Sequence, residues 1–176
     1  MGKFKFKITV IGDGFVGKTS LISKFTQGNF QEDYIQTIGA QFSEHIEDIE
    51  GDRCELFFWD IAGQAEFNFL RPAFYKSSLA SIVVFSLEEN DFGRKSLNHI
   101  EKWNKEIKKF CGDIPVILFG NKVDLVDESS LNDDKVSKFI DKGIYIDYFR
   151  TSAKTGQNVE KAFNKIIREL HSKYKG

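Results

Sequence analysis

A three-layer α/β fold, with six strands in a mostly parallel sheet, one antiparallel edge strand and five helices, is what this sequence predicts, on three observations. Short apolar runs alternate with stretches whose apolar residues repeat every three or four positions, the pattern of buried parallel strands joined by amphipathic helices. One pair of runs is separated only by Glu50-Gly51-Asp52, which marks a hairpin and therefore one antiparallel strand. The first run passes into Gly12-Asp13-Gly14-Phe15-Val16-Gly17-Lys18-Thr19 before the first helical pattern, so G-x-x-x-x-G-K-[ST] stands between strand and helix.

Taken in order, Phe4 to Ile11 alternates Phe with Lys and then becomes continuously apolar, as a strand entering the interior does. Gly17 to Phe25 reads as a helix with Leu21, Ile22 and Phe25 on one side, and 27–41 as a loop broken by Gly28, Asn29 and Gly39. The hairpin pairs Phe42 to Ile49 with Arg53 to Asp60. Ala62 to Lys76, holding Gly63 and Pro72, reads as mobile. Ser81 to Ser86 is a short buried strand. Asn90 to Phe110 places Ile100, Trp103, Ile107 and Phe110 on one helical face. Pro115 to Phe119 is a strand, Asn132 to Asp141 a helix, Tyr145 to Phe149 the last strand. Val159, Phe163, Ile166, Ile167 and Leu170 define a closing helix, with Asn158 or Thr155 as its cap.

A length of 176 residues suits one domain with one substantial core. A net charge of −1 gives no global attraction to nucleic acid. Cys54 and Cys111 are far apart and match no metal or redox spacing, so reduced core thiols and a cytoplasmic location are expected. No apolar run reaches membrane-spanning length, Met1-Gly2 is followed by Phe at position 6 rather than the Ser or Thr of a myristoylation signal, and Tyr174-Lys175-Gly176 offers no cysteine for prenylation. No intrinsic membrane anchor is expected, and a peripheral membrane address would need a lipidated tail or a partner.

In open α/β sheets ligands sit beyond the carboxyl ends of the strands, and the chemistry-bearing segments fall there. In the glycine-rich loop, backbone amides and a helix N-terminus face an anion, Lys18 supplies charge to β/γ phosphate oxygens, and the Thr19 hydroxyl suits Mg²⁺. Trp59-Asp60-Ile61-Ala62-Gly63-Gln64 ends a strand on Asp60, placed for the same metal, while Gly63 brings an amide toward a terminal phosphate. Asn121-Lys122-Val123-Asp124 reads the base. One carboxylate, Asp124, accepts from guanine N1–H and the exocyclic amine together, which favours GTP over ATP. Asn121 ties this loop to the first, the Lys122 stem lies over the ring, and in Thr151-Ser152-Ala153-Lys154 the Ala153 amide faces guanine O6. Each tetrapeptide alone is also what a polar turn looks like, and together they are not. His45, His99 and His171 lie outside every motif and are assigned no chemistry.

With these residues, the chain resembles a Ras-superfamily small GTPase, nearest the Rab-like branch and compatible with an archaeal-type relative. The match runs through Gly12 to Thr19, Thr37, Asp60 to Gln64, Asn121 to Asp124 and Ser152 to Lys154, with the Rab character in Thr37-Ile38-Gly39-Ala40-Gln41-Phe42 and in Trp59. The resemblance implies a P-loop NTPase G domain over residues 1–176, with GTP or GDP and Mg²⁺ bound. Asp13, Gly14, Phe15, Val16, Gly17, Lys18, Thr19 and Ser20 would surround the phosphates, with Phe30 edge-on to guanine and Tyr34 closing over the phosphates. Thr37 would ligate Mg²⁺ with Thr19 and Asp60 and touch the γ-phosphate. Gln64, Lys18 and Thr37 would be catalytic, Gln64 by orienting water. Ile61 and Ala65 depart from the family pattern, Phe15 is bulky for this loop, and the prenylated cysteines typical of the branch are missing.

From Thr26 to Asp52 there is no Lys or Arg, so no arginine in cis is available from that loop, and a GTPase-activating protein (GAP) is expected to supply one. Exchange factor, GAP and effectors are expected to dock through 30–76, where Glu32, Asp33, Glu44, Glu47, Asp48, Glu50 and Asp52 make either a solvated face or a surface for basic partners. A monomer is expected. Three rival readings stay open: a GTP-binding module without useful hydrolysis, a P-loop kinase or ATPase, and a scaffold or nucleic-acid role.

Overall fold

The computed structural model describes residues 1–33 and 35–176. Among these the strands are β1 (Lys3–Gly12), β2 (Ala40–Ile49), β3 (Asp52–Ile61), β4 (Ala80–Ser86), β5 (Val116–Asn121) and β6 (Tyr148–Arg150). They form one sheet in the order β2-β3-β1-β4-β5-β6. All neighbours are parallel except β2 and β3. The helices are α1 (Lys18–Gln27), α2 (Arg71–Tyr75), α3 (Asp91–Asn98), α4 (Ile100–Cys111), α5 (Asp134–Asp141) and α6 (Val159–Lys175). α3 and α4 are one amphipathic stretch bent at His99, and counted so they give the expected five helices among the described residues.

The sheet has a core on each face, which makes the three layers. On one side α1 and α6 cover Phe6, Ile8, Leu56, Phe58 and Phe119. Phe163 of α6 stacks on Phe25 at 4.4 Å and meets Phe58 and Phe119 edge-on. On the other side Tyr75, Ile100, Trp103, Ile107 and Val136 cover Ile11, Val83, Phe85 and Leu118. β4 and β5 are buried at every position, as the apolar runs 82–85 and 116–119 within them require. Among the described residues no helix is long and apolar enough to cross a membrane.

Three local expectations change. The stretch 62–76 holds a 3₁₀ turn, Ala65–Phe67, and then α2, in whose first turn Pro72 fits because no backbone donor is needed there. Asn158 does not cap α6. It is left-handed (φ 56°), and its Nδ2 donates to the Arg150 carbonyl at 2.8 Å, closing the 150–158 loop. The Thr155 hydroxyl instead accepts from the Gln157 amide at 3.3 Å.

At the edge of the sheet away from the motif loops, the hairpin turn is tied to the chain ends. Asp52, only 7% exposed, accepts from the Gly2 amide at 2.6 Å, from His171 Nε2 at 3.0 Å and from Lys175 Nζ at 3.1 Å. These donors hold its carboxyl well below the usual carboxylate range.

Phe163→Ala removes the ring on which three others converge, and a loss of about 3–5 kcal/mol in unfolding free energy is expected, read from urea denaturation.

Candidate functional site

The motif loops leave the same rim of the sheet, at the carboxyl ends of β1, β3, β5 and β6. β1 breaks at Gly12, and the chain wraps back so that Lys18 opens α1 with Gly17 before it in left-handed backbone (φ 100°). A Cβ on Gly17 would overlap Asn121 Nδ2. Lys18 lies 6% exposed, and its Nζ donates to the Gly12 carbonyl at 3.1 Å and the Asp13 carbonyl at 2.7 Å. Burial pulls its pKa down to about 8, against the pull of the Asp60 and Asp13 carboxylates.

Asp60, at the end of β3, is 2% exposed. Its Oδ2 accepts from the Thr19 hydroxyl and, at 3.3 Å, from that of Thr37, and the two hydroxyls are 3.0 Å apart. Its Oδ1 is buried without a hydrogen-bond partner. Burial raises its pKa, with Lys18 and the two threonines opposing. Three hard oxygen donors around an unsatisfied carboxylate oxygen are the chemistry a Mg²⁺ ion takes, so these residues fit the expected metal.

The loop after β3 presses on the first loop. A Cβ on Gly63 would collide with the Gly12 carbonyl and the Gly14 amide, so only glycine brings the two backbones this close. Gln64 follows, with Oε1 buried and without a hydrogen-bond partner. Lys18, Thr19, Thr37, Gly63 and Gln64 thus enclose a hollow of about 10 Å³. Phe15, in left-handed backbone and 52% exposed, lines this hollow as well as the larger cavity beside it. Ile61, one of the departures, is fully buried against the second core. Tyr34, expected over the phosphates, lies outside the described residues.

The larger cavity is about 470 Å³ and brings together Ser20, Phe30, Asn121, Lys122, Asp124, Ala153 and Lys154. Asn121 is 2% exposed and joins three segments. Its Nδ2 donates to the Val16 carbonyl at 3.0 Å, and its Oδ1 accepts from the Thr151 hydroxyl and the Ala153 amide, both at 3.2 Å. The Ala153 amide, expected to face guanine, is therefore bonded within the protein. Asp124 Oδ1 is fixed by the Ser152 hydroxyl at 2.7 Å, which itself accepts from the Thr155 amide at 3.0 Å. Lys122 is left-handed (φ 69°), and its Nζ bonds Glu88 at 2.9 Å, which lays its stem along the cavity wall.

Sequence reasoning missed a set of contacts behind the first loop. Asp13 Oδ1 accepts from Trp103 Nε1 at 2.8 Å, and Oδ2 lies 2.7 Å from His99 Nδ1. Trp103 and His99 carried no local signal, because a Trp on an apolar stripe and a histidine at a helix break look structural until the fold places them against residue 13. Arg71, which opens α2 shortly after Gln64, is 3% exposed and held by Glu106 at 2.7 Å and 3.2 Å.

Fold, glycine loop, buried lysine and paired base-side loops define a P-loop GTPase. The Ras family matches residues 7–172. The chain is 36% identical over 167 residues to Ras-related protein Rab-13 of Mesocricetus auratus, covering 94% of this chain and 79% of that protein. It is 33% identical over 168 residues to GTP-binding protein ypt1 of Schizosaccharomyces pombe, covering 95% and 80%, and 32% identical over 166 residues to Ras-related protein Rab-11B of Dictyostelium discoideum, covering 94% and 73%. The chain belongs to the Ras family and is a Rab-like small GTPase.

Two outcomes follow for the protein without nucleotide. Asn121→Ala strands three buried partners on two other segments, at Val16 and at Thr151 and Ala153, and is expected to cost about 2–4 kcal/mol in urea unfolding, with faster amide exchange at 151–155. The folded pKa of Lys18, about 8, lies below its ordinary 10.5, so its contribution is complete above 10.5 and lost as pH falls through 8. Nucleotide-free protein is therefore expected to gain stability relative to Lys18→Met as pH rises between these values.

Proposed function

We propose that this protein is a guanine-nucleotide switch that binds GTP or GDP with Mg²⁺, hydrolyses GTP slowly, and changes partners with the nucleotide, in the manner of Rab-like regulators of trafficking or signalling. The observation that carries this reading is that two loops from separate parts of the chain, one through Thr37 and one through Gly63–Gln64, meet on the hollow beside Lys18. Groups that converge there sense whether a third phosphate is present, and its loss frees both loops.

In the GTP complex Lys18 and the loop amides carry the β and γ phosphate charge, and an anion there further favours the ammonium form of the buried lysine. Thr19, Thr37 and Asp60 would hold Mg²⁺, which when bound would supply Lewis-acid neutralisation of phosphate oxygens. Asp124 selects guanine from a position set by Ser152. Gln64 orients water in line with the γ-phosphate, and Gly14 keeps room for it. A Cβ on Gly14 would already sit 3.0 Å from Gln64 Nε2. With Arg71 locked to Glu106, an arginine must come from a GAP, which adds roughly 10³–10⁵ in rate.

Effectors and regulators dock on 30–76. There Phe42 stacks on Phe57, Trp59 meets both Phe42 and Phe74, and Ile35, Ile38 and Phe69 are each more than three-quarters exposed. Exposed Phe42, Glu44, Ile46 and Asp48 alternate apolar with acidic along β2, a surface for a partner that is apolar at its centre and basic at its rim.

The test begins with the nucleotide that copurifies, which should be GDP or GTP and be released faster when EDTA removes the metal. Gln64→Leu is expected to slow single-turnover GTP cleavage by about 10²-fold with GDP affinity retained. Cleavage unaffected by that change would favour a binding module without useful hydrolysis, and ATP binding as tight as GTP would revive the ATPase reading. Gly14→Val should keep nucleotide binding but abolish GAP-stimulated turnover.

A further inference from the structure

The carboxylate of Asp13 is turned away from the cavity and engaged on both oxygens, by Trp103 Nε1 at 2.8 Å and His99 Nδ1 at 2.7 Å. Its own carbonyl is the closer of the two oxygens that hold Lys18 Nζ, at 2.7 Å. Trp103 is 2% exposed and His99 sits at the bend between α3 and α4, so both donors come from packed backbone rather than from a surface loop. On its other side the Trp103 ring carries the Arg71 guanidinium, 4.9 Å from its centre. Arg71 opens α2, shortly after Gln64, and Glu106 of α4 grips it while also accepting from the Tyr75 hydroxyl at 2.7 Å.

We propose that Trp103 and His99 are positioning residues for the phosphate loop. They fix the Asp13 side chain, and through it the carbonyl against which Lys18 is set. The Arg71–Trp103 stack ties that placement to the helix following Gln64, so the second switch loop and the phosphate loop share one support. This rests on the reading of 12–19 as a phosphate cradle. A glycine-rich loop has little packing of its own, and two charge-assisted bonds, one from the buried Trp103 and one from the half-buried His99, supply what the glycines cannot.

The experiment measures GDP dissociation from purified protein loaded with fluorescent GDP. Trp103→Phe keeps a ring beneath Arg71 and deletes only the N–H, and His99→Asn shortens the second donor. Each is expected to speed GDP release about tenfold, the size of one charged hydrogen bond. Asp13→Asn keeps the shape of residue 13 and provides the same test should Trp103→Phe fail to fold. Combined with Asp13→Asn, the Trp103→Phe effect should shrink well below the product of the two. Unchanged GDP release with a lowered unfolding midpoint would overturn the proposal and leave both residues structural, as would fully multiplicative effects. Wild-type protein that binds no GDP would instead remove the cradle reading on which the proposal stands.

Discussion

A buried ammonium whose hydrogen bonds go to two backbone carbonyls is an expensive object, and the arrangement around Lys18 follows from having to keep one. Its charge is desolvated enough to lower its pKa to about 8, and Gly12 and Asp13 carbonyls give it only partial compensation. The nearest carboxylate, Asp60, is itself pushed toward the neutral form by burial. The two groups therefore relieve each other only incompletely. The close backbone approach at Gly63 and the left-handed turn at Gly17 serve to hold this pair in a space that excludes bulk water.

Much of this could be read from the chain. Continuous apolar runs at 82–85 and 116–119 signalled parallel strands buried on both faces, and glycine spacing with Lys18-Thr19 signalled the loop before any fold was known. What could not be read was the identity of partners distant in sequence. Asn121 was expected to reach the first loop, but its hold on the Ala153 amide, which was expected to serve the base, depends on the spacing of β5 and β6. Asn158 looked like a helix cap because its type and position were right. A carbonyl eight residues back competed for the side chain and won. The short α2 was hidden by Pro72, which reads as a breaker unless it falls in the first turn.

The two faces of the hairpin divide the labour. Inward residues of β3, Cys54, Leu56 and Phe58, are fully buried in the first core. Outward ones, Phe57 and Trp59, build an aromatic platform with Phe42, of which Trp59 also packs against the second core. Large aromatic area left at the surface beside acidic side chains is costly for solubility and is retained where a partner covers it.

The clasp at Asp52 has a mechanical consequence. β2 and β3 pair from Ala40↔Ile61 down to Ile49↔Asp52, and the far end of that ladder is fastened by Gly2, His171 and Lys175 while the near end carries Asp60. Sliding β2 along β3 by a single residue would turn every β2 side chain to the opposite face, carrying the exposed Glu44 and Asp48 inward. With its far end fastened to the chain termini, the hairpin behaves as a fixed beam. The aromatic surface of Phe42, Phe57 and Trp59 is thereby carried on a strand pair held in register at its far end.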